Sequence, residues 1–154
     1  GVGGHCIPVD PSYLRYAASK FGSITKFIDL ANQINLSMAK SVALRIQDRF
    51  NGELKGISIQ LAGIAYKPGV PDLRESPALL LMEELSKLGA KVIWCDPLVS
   101  EFNNSKSVPL DPNIDIGLIV TPHENIDFSI WKNAGTRVFD LSPDRKSYGW
   151  PKFF

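Results

Sequence analysis

The 154-residue sequence is poor in cysteine, histidine and methionine, with two of each. Cys6 and Cys95 lie far apart, and with only His5 and His123 beside them they give neither a disulfide framework nor the ligand spacing of a zinc site. The two thiols instead point to a reducing intracellular compartment, the cytoplasm. No apolar run is long enough to cross a bilayer, and no apolar leader reads as a secretion signal. Charge of one sign is not in excess either. Against 16 acidic residues stand 17 basic ones, which removes the electrostatic case for nucleic acid or a membrane surface as partner. A G-x-G-x-x-G phosphate loop is absent, so no segment announces dinucleotide binding on its own.

What the sequence does have is a concentrated beginning, Gly1-Val2-Gly3-Gly4-His5-Cys6-Ile7-Pro8-Val9-Asp10. Three glycines in four positions let the backbone come close to a ligand. Pro8 and Pro11 fix φ on both sides of Val9-Asp10, and Asp10-Pro11 reads as the N-cap and first residue of a helix. A helix start and the free amides of a glycine-rich loop both favour negative charge, which makes Cys6 a candidate nucleophile. The alternative for Cys6 is a small apolar residue buried between Ile7 and the glycines. His5 is a poor activator of Cys6, because neighbours in an extended loop face opposite sides.

Leu14, Ala17, Ala18 and Phe21 share one face of a short helix that Gly22 closes. Ser23 or Thr25 then caps a longer helix. Its apolar positions, Ile24, Phe27, Ile28, Ala31, Ile34, Met38, Val42, Ile46 and Phe50, recur every three or four residues until Asn51-Gly52. At 1.5 Å per residue it runs on the order of 40 Å, so its stripe must be buried on something beyond a small domain. From Gly56 onward the pattern changes. Residues 57–65 read as a central parallel strand, Ser76 and Pro77 open a helix over 78–88 closed by Gly89, and strands follow over 91–95, 115–121 and 137–141, with a short helix around 127–132. This alternation predicts an α/β fold, a Rossmann-like and mostly parallel sheet over 53–154, preceded by a helical segment over 1–52 with one long helix.

Ligands in such sheets bind beyond the carboxyl ends of the strands, where Tyr66, Lys67 and the loop to Ser76 fall. Lys67 and Arg74 suit phosphate or sugar oxygens. The residues by themselves favour a surface pair of Arg74 with Asp72 or Glu75, worth about 0 to 1 kcal/mol.

Gly3-Gly4-His5-Cys6-Ile7-Pro8-Val9-Asp10-Pro11 closely resembles GGxCxPxD, the active-site cysteine motif of the NAD-dependent nucleotide-sugar dehydrogenases that make uronic acids. Its His-Cys-Ile-Pro and Asp-Pro details look more like the branch acting on UDP-N-acetylhexosamines, such as UDP-N-acetylmannosamine, than like the UDP-glucose branch. A second block, Gly63-Ile64-Ala65-Tyr66-Lys67-Pro68 with Asp72-Leu73-Arg74-Glu75-Ser76-Pro77, resembles the family's other hallmark. Thr121-Pro122-His123-Glu124 matches a loop of the amino-sugar branch, with His123 read as structural or exposed. Cys95-Asp96-Pro97 resembles the family's Asp-Pro after the second strand, where a tight turn is explanation enough.

The resemblance implies that Cys6 is the catalytic thiol and that Asp10 assists the attacking water. It implies that Gly1 and Gly3 lie along a UDP-sugar, that Tyr66 and Lys67 contact it, and that Arg74 reaches the NAD. The implied reaction, serving polysaccharide biosynthesis, takes the sugar C6 alcohol to a carboxylate with two NAD in turn, the aldehyde being held on Cys6 as a thiohemiacetal and then a thioester. A homodimer through the long helix around residues 24–50 is implied as well. The family's amino-terminal NAD-binding domain is absent from this sequence, so the expectation is a carboxyl-terminal piece of a longer protein, inactive alone. Pro71 departs from the acidic residue of many relatives. Competing expectations are a UDP-glucose 6-dehydrogenase, a dimerising UDP-sugar-binding module without catalysis, and a cysteine hydrolase pairing Cys6 with His123. The intact Cys6 and Asp10 favour a dehydrogenase over the module, because binding alone needs no thiol.

Overall fold

The computed structural model describes residues 1–143 and 148–153. Two helices lead the chain, α1 over Cys6–Ser19 and α2 over Lys26–Asp48. Helix α1 begins earlier than Asp10-Pro11 suggested. His5 takes the N-cap position, and Pro8, Asp10 and Pro11 all lie inside the helix. The cause is the docking of the glycine loop: Gly4 turns at φ 91° and donates its N–H to the Arg74 carbonyl at 3.0 Å, so the chain is free to coil at once. Pro8 then occupies the first turn, where its missing N–H costs nothing. Gly22, at φ 71°, closes the segment as expected.

Helix α2 spans 23 residues, about 35 Å at ~1.5 Å per residue. Its N-cap is Thr25, without a side-chain capping bond, and Asn51 and Gly52 at φ 57° and 83° follow its end. Only its carboxyl half is buried, through Ala39, Val42, Ala43 and Ile46. The amino half of the stripe faces solvent, with Ile24 77% and Phe27 82% exposed, and α1 buries no residue at all. The two helices therefore form an arm whose apolar side is uncovered.

Strands β1 (Ser58–Ala62), β2 (Lys91–Cys95), β5 (Ile116–Ile119) and β6 (Arg137–Asp140) build one all-parallel sheet in the order β2-β1-β5-β6. Helix α3 (Pro77–Lys87) crosses from β1 to β2, and α4 (Ser129–Ala134) from β5 to β6. Leu61 pairs in register with Trp94 on one side and Leu118 on the other. Alternation along the buried strands sends Ile59, Leu61 and Leu118 to the face packed by α2 and α3, and Ala62 and Ile119 to the face packed by Trp131 of α4. Gln60, fully buried in β1, donates to the Pro109 carbonyl at 2.9 Å and accepts from the Asp111 N–H at 2.7 Å.

A short antiparallel hairpin, β3 (Glu101–Phe102) with β4 (Ser105–Lys106), lies outside the sequence expectation. Its turn residues Asn103 and Asn104 both adopt positive φ, 47° and 61°, which asparagine tolerates better than most residues. Strand β1 stops three residues short of the predicted 57–65, because Gly63 at φ 82° turns the chain against the carbonyl of Thr121.

Candidate functional site

A cavity of about 920 Å³ opens where the carboxyl ends of β1, β5 and β6 meet the buried half of α2. Gly1, Tyr66 and Lys67, three of the four predicted substrate-binding residues, line it, and the wall is otherwise mostly apolar, with Val42, Leu81 and Val120. Its polar end is Asp140, Ser142 and Lys152. Asp140 is fully buried, its Oδ1 accepts the Ser142 hydroxyl at 2.7 Å, and Lys152 Nζ stands 2.8 Å from Oδ2. None of these three was singled out from sequence. The available signal was an acidic residue at the carboxyl end of a predicted strand, the position at which such sheets place ligands.

The glycine loop is strapped down on two sides. Val2 donates its N–H to Asn35 Oδ1 at 2.6 Å and accepts from Asn35 Nδ2 at 3.0 Å, which ties the loop to α2. Gly4 binds the Arg74 carbonyl, as described above. Gly3 does not line the cavity but wedges between the Glu75 carbonyl, Pro77 and Tyr66, where a Cβ has no room. Asn35 was also missed, hidden in an apolar periodicity that it interrupts.

Cys6 is an exposed free thiol, which removes the alternative of a buried apolar filler. It opens α1, where unpaired amides of the first turn favour negative charge. Asp10 follows four residues later in the same helix, so both side chains share one face, an arrangement that an extended loop does not give. Arg74 meets this loop through its backbone, its carbonyl accepting the N–H of Gly4, two residues before Cys6. Neither Cys6, Asp10 nor Arg74 lines the cavity.

Arg74 makes the surface pair anticipated as its alternative. Its Nε and Nη2 reach the Asp72 carboxylate at 3.0 and 2.6 Å, while Nη1 makes no bond among the described residues. The hydrogen bonds from Arg74 hold the Asp72 carboxyl at about 2, below the usual 3.8. With the folded value depressed, the fork is complete above the ordinary carboxylate range and is lost as pH falls through about 2. A carbon NMR titration of Asp72 is expected to show its midpoint near 2 and, in Arg74→Ala, a return toward 3.8. An unchanged midpoint in the variant would refute the pairing.

Behind the Tyr66 loop lies a buried network. Asp96 Oδ2 accepts the N–H groups of Ile64 and Ala65 at 2.9 and 3.2 Å, and Oδ1 those of Leu98 and Val99 at 2.9 and 3.1 Å. His123, 5% exposed, contacts Asp96 Oδ2 through Nε2 at 3.2 Å and accepts the Gly69 N–H at Nδ1, 3.1 Å away. The structural reading of His123 therefore holds: the ring is buried with both nitrogens engaged, by Gly69 and by Asp96, which leaves neither free to activate a thiol. The turn at Asp96-Pro97 is present, but the carboxylate does more than turn the chain. Trp94 and Trp131 are buried packing residues. No group of metal-ligating side chains occurs among the described residues.

A parallel sheet whose loops at the carboxyl ends of its strands line a cavity is joined in this chain to a cysteine-bearing helix start. The chain matches the UDP-binding domain of the UDP-glucose/GDP-mannose dehydrogenase family over residues 60–142 and that family's central domain over residues 1–37, and it belongs to this family. Members are NAD-dependent dehydrogenases. Among relatives, a UDP-N-acetyl-D-mannosamine dehydrogenase of Campylobacter jejuni is 37% identical over 111 residues, covering 71% of this chain and 25% of that protein. The UDP-glucose 6-dehydrogenase AglM of Haloferax volcanii is 29% identical over 130 residues, covering 79% of this chain and 30% of that one. The solved structure of a UDP-D-ManNAc dehydrogenase from Pyrococcus horikoshii superposes with a TM-score of 0.72 at 27% identity, covering 97% of this chain and 37% of its own. The chain thus spans about a quarter to a third of the relatives it matches. No helix among the described residues is long and apolar enough to cross a membrane.

Proposed function

We propose that this chain supplies the catalytic cysteine and the UDP-sugar half of an NAD-dependent UDP-sugar 6-dehydrogenase, acting on a UDP-N-acetylhexosamine, UDP-N-acetylmannosamine foremost, to make a uronate for polysaccharide biosynthesis. The observation that carries this reading is the convergence of Gly1, Tyr66 and Lys67 on one cavity while Cys6 and Asp10 share a helix face that follows directly on the loop bonded to the Arg74 carbonyl. Lys67 is the phosphate or sugar ligand, an exposed cation at the cavity. Arg74, exposed and with Nη1 unengaged, is suited to a cofactor phosphate. NAD, when bound, supplies the hydride acceptor for both oxidations. The Cys6 sulfur attacks the C6 aldehyde and retains it as a thiohemiacetal. Oxidation of that adduct leaves a thioester on Cys6, and Asp10 orients the water that hydrolyses it.

The domain division at residues 52 and 53 belongs to this proposal, as does the homodimer, supported by the uncovered stripe of Ile24, Phe27, Leu30 and Ile34. Two free cysteines accord with the cytoplasm. This chain alone, without a dinucleotide loop, is expected to turn over nothing.

The test is calorimetric titration of UDP, with NADH counting, on the natural polypeptide that carries this sequence. Lys67→Ala is expected to weaken UDP by about 10-fold or more, the loss of one charge-assisted contact. Two NADH per UDP-N-acetylhexosamine support the reading. One NADH, or turnover of UDP-glucose alone, refutes the reaction or the branch respectively, and UDP affinity indifferent to Lys67 refutes the ligand site.

A further inference from the structure

The loop from Gly63 to Asp72 carries Lys67 to the cavity without any regular secondary structure of its own. Its first residues are anchored by Asp96, through the Ile64 and Ala65 amides, and by the Thr121 hydroxyl, which donates to the Ala65 carbonyl at 2.7 Å. Tyr66 donates its N–H to the Asp72 carbonyl at 2.9 Å. Lys67 and Pro68 are exposed, and the next tethered atom is the Gly69 nitrogen on His123 Nδ1.

We propose that His123 is a positioning residue that fixes Lys67 over the cavity by clamping the Gly69 amide, its ring being locked in turn by Asp96. The proposal rests on Lys67 as a UDP-sugar ligand. The tautomer follows from the bonds: an amide N–H can only be accepted by a bare Nδ1, so the ring proton is on Nε2 and is donated to the Asp96 carboxylate. Asp96 has no need of that bond. Its two oxygens already accept four backbone amides, so the part of the histidine that nothing else replaces is the acceptor facing Gly69. The geometry is that of a rod between a rigid site, Asp96 at the end of β2, and a loop that would otherwise hang from its two ends. Ordering the loop before the ligand arrives removes that cost from binding.

Two substitutions separate the two nitrogens. Asparagine places an amide oxygen near the Nδ1 position and can still accept from Gly69, whereas glutamine reaches the Nε2 position and can donate to Asp96 while leaving Gly69 unpaired. In the natural polypeptide, His123→Asn is expected to bind UDP within about twofold of wild type, and His123→Gln about tenfold more weakly. Amide exchange at Gly69 should accelerate in the glutamine variant and not in the asparagine one. Equal UDP affinities in both variants with an unchanged Gly69 exchange rate would overturn the clamp. Wild-type protein that fails to bind UDP refutes the ligand reading instead, and the Gly69 exchange rates then still decide the clamp. If both variants unfold, nitrogen NMR of the wild-type His123 ring gives the answer without mutation: a proton on Nε2 with a protected Gly69 amide supports the clamp, and a proton on Nδ1 refutes it.

Discussion

Cys6→Ser in the natural polypeptide is expected to lower NADH formation from a UDP-sugar by on the order of a thousandfold or more, with UDP affinity retained. The two halves of that expectation come from different parts of the chain. On the proposed reading affinity belongs to the cavity that Tyr66 and Lys67 line and Cys6 does not. Turnover needs an atom that adds to an aldehyde and then leaves an acyl group easily. Sulfur does both, whereas the serine hydroxyl is a weaker nucleophile at neutral pH and its ester resists hydrolysis. Serine nearly matches the volume and the exposed position, so no loss of fold accompanies the change. Asp10→Asn is the companion. It should spare thioester formation and slow its hydrolysis, so that acylated enzyme accumulates after a burst of NADH. A Cys6→Ser protein with undiminished NADH production would remove Cys6 from the chemistry and leave the binding-module reading standing.

How far these parts could be read from sequence differs by the range of the forces that set them. Strand β2 runs over the predicted residues 91–95, since its ends are fixed locally by Gly89 and by Asp96-Pro97. Helix α3 begins at the anticipated Pro77, yet Ser76 spends its hydroxyl on the Ile64 carbonyl at 2.7 Å instead of capping. That bond spans twelve residues in sequence, and no local rule contains it. The start of α1 was misplaced for the same reason, because the hydrogen bond from Gly4 to Arg74 ends the loop where the Asp10-Pro11 pair did not. That Tyr66 and Lys67 line the cavity was legible from their place after β1. Asp140, Ser142 and Lys152 were not, because their meeting depends on a parallel bridge between Asp140 and Lys152 near the end of the chain. Periodicity gave the length of α2 but not which half of it would be covered by this chain.

Gly63→Ala is expected to cost the most stability of any single methyl added to this chain, about 3 to 5 kcal/mol by combining backbone strain with a clash that the core cannot relax. The backbone at Gly63 has φ 82°, a region a side chain enters at a penalty, and the methyl would run into the Thr121 carbonyl oxygen. Both obstacles are set by backbone at the carboxyl ends of the two central strands, β1 and β5. Gly63 donates its N–H to the Cys95 carbonyl at 2.8 Å, while Thr121 donates its own to Ala62 at 3.1 Å, so neither strand can move aside without breaking a bond that orders the other. Gly135→Ala serves as the control, since φ there is 69° but the added methyl meets nothing, leaving strain alone at about 1 kcal/mol. For a chain of this length, thermal unfolding should separate the two by roughly 5 to 15 °C. The Gly63 variant should also lose UDP affinity well below its melting point, because the displaced Thr121 carries the Ala65 carbonyl bond and leads directly into His123. Equal melting temperatures for the two variants would mean that β1 and β5 yield at their carboxyl ends, and that the loop bearing Lys67 is not held by the sheet.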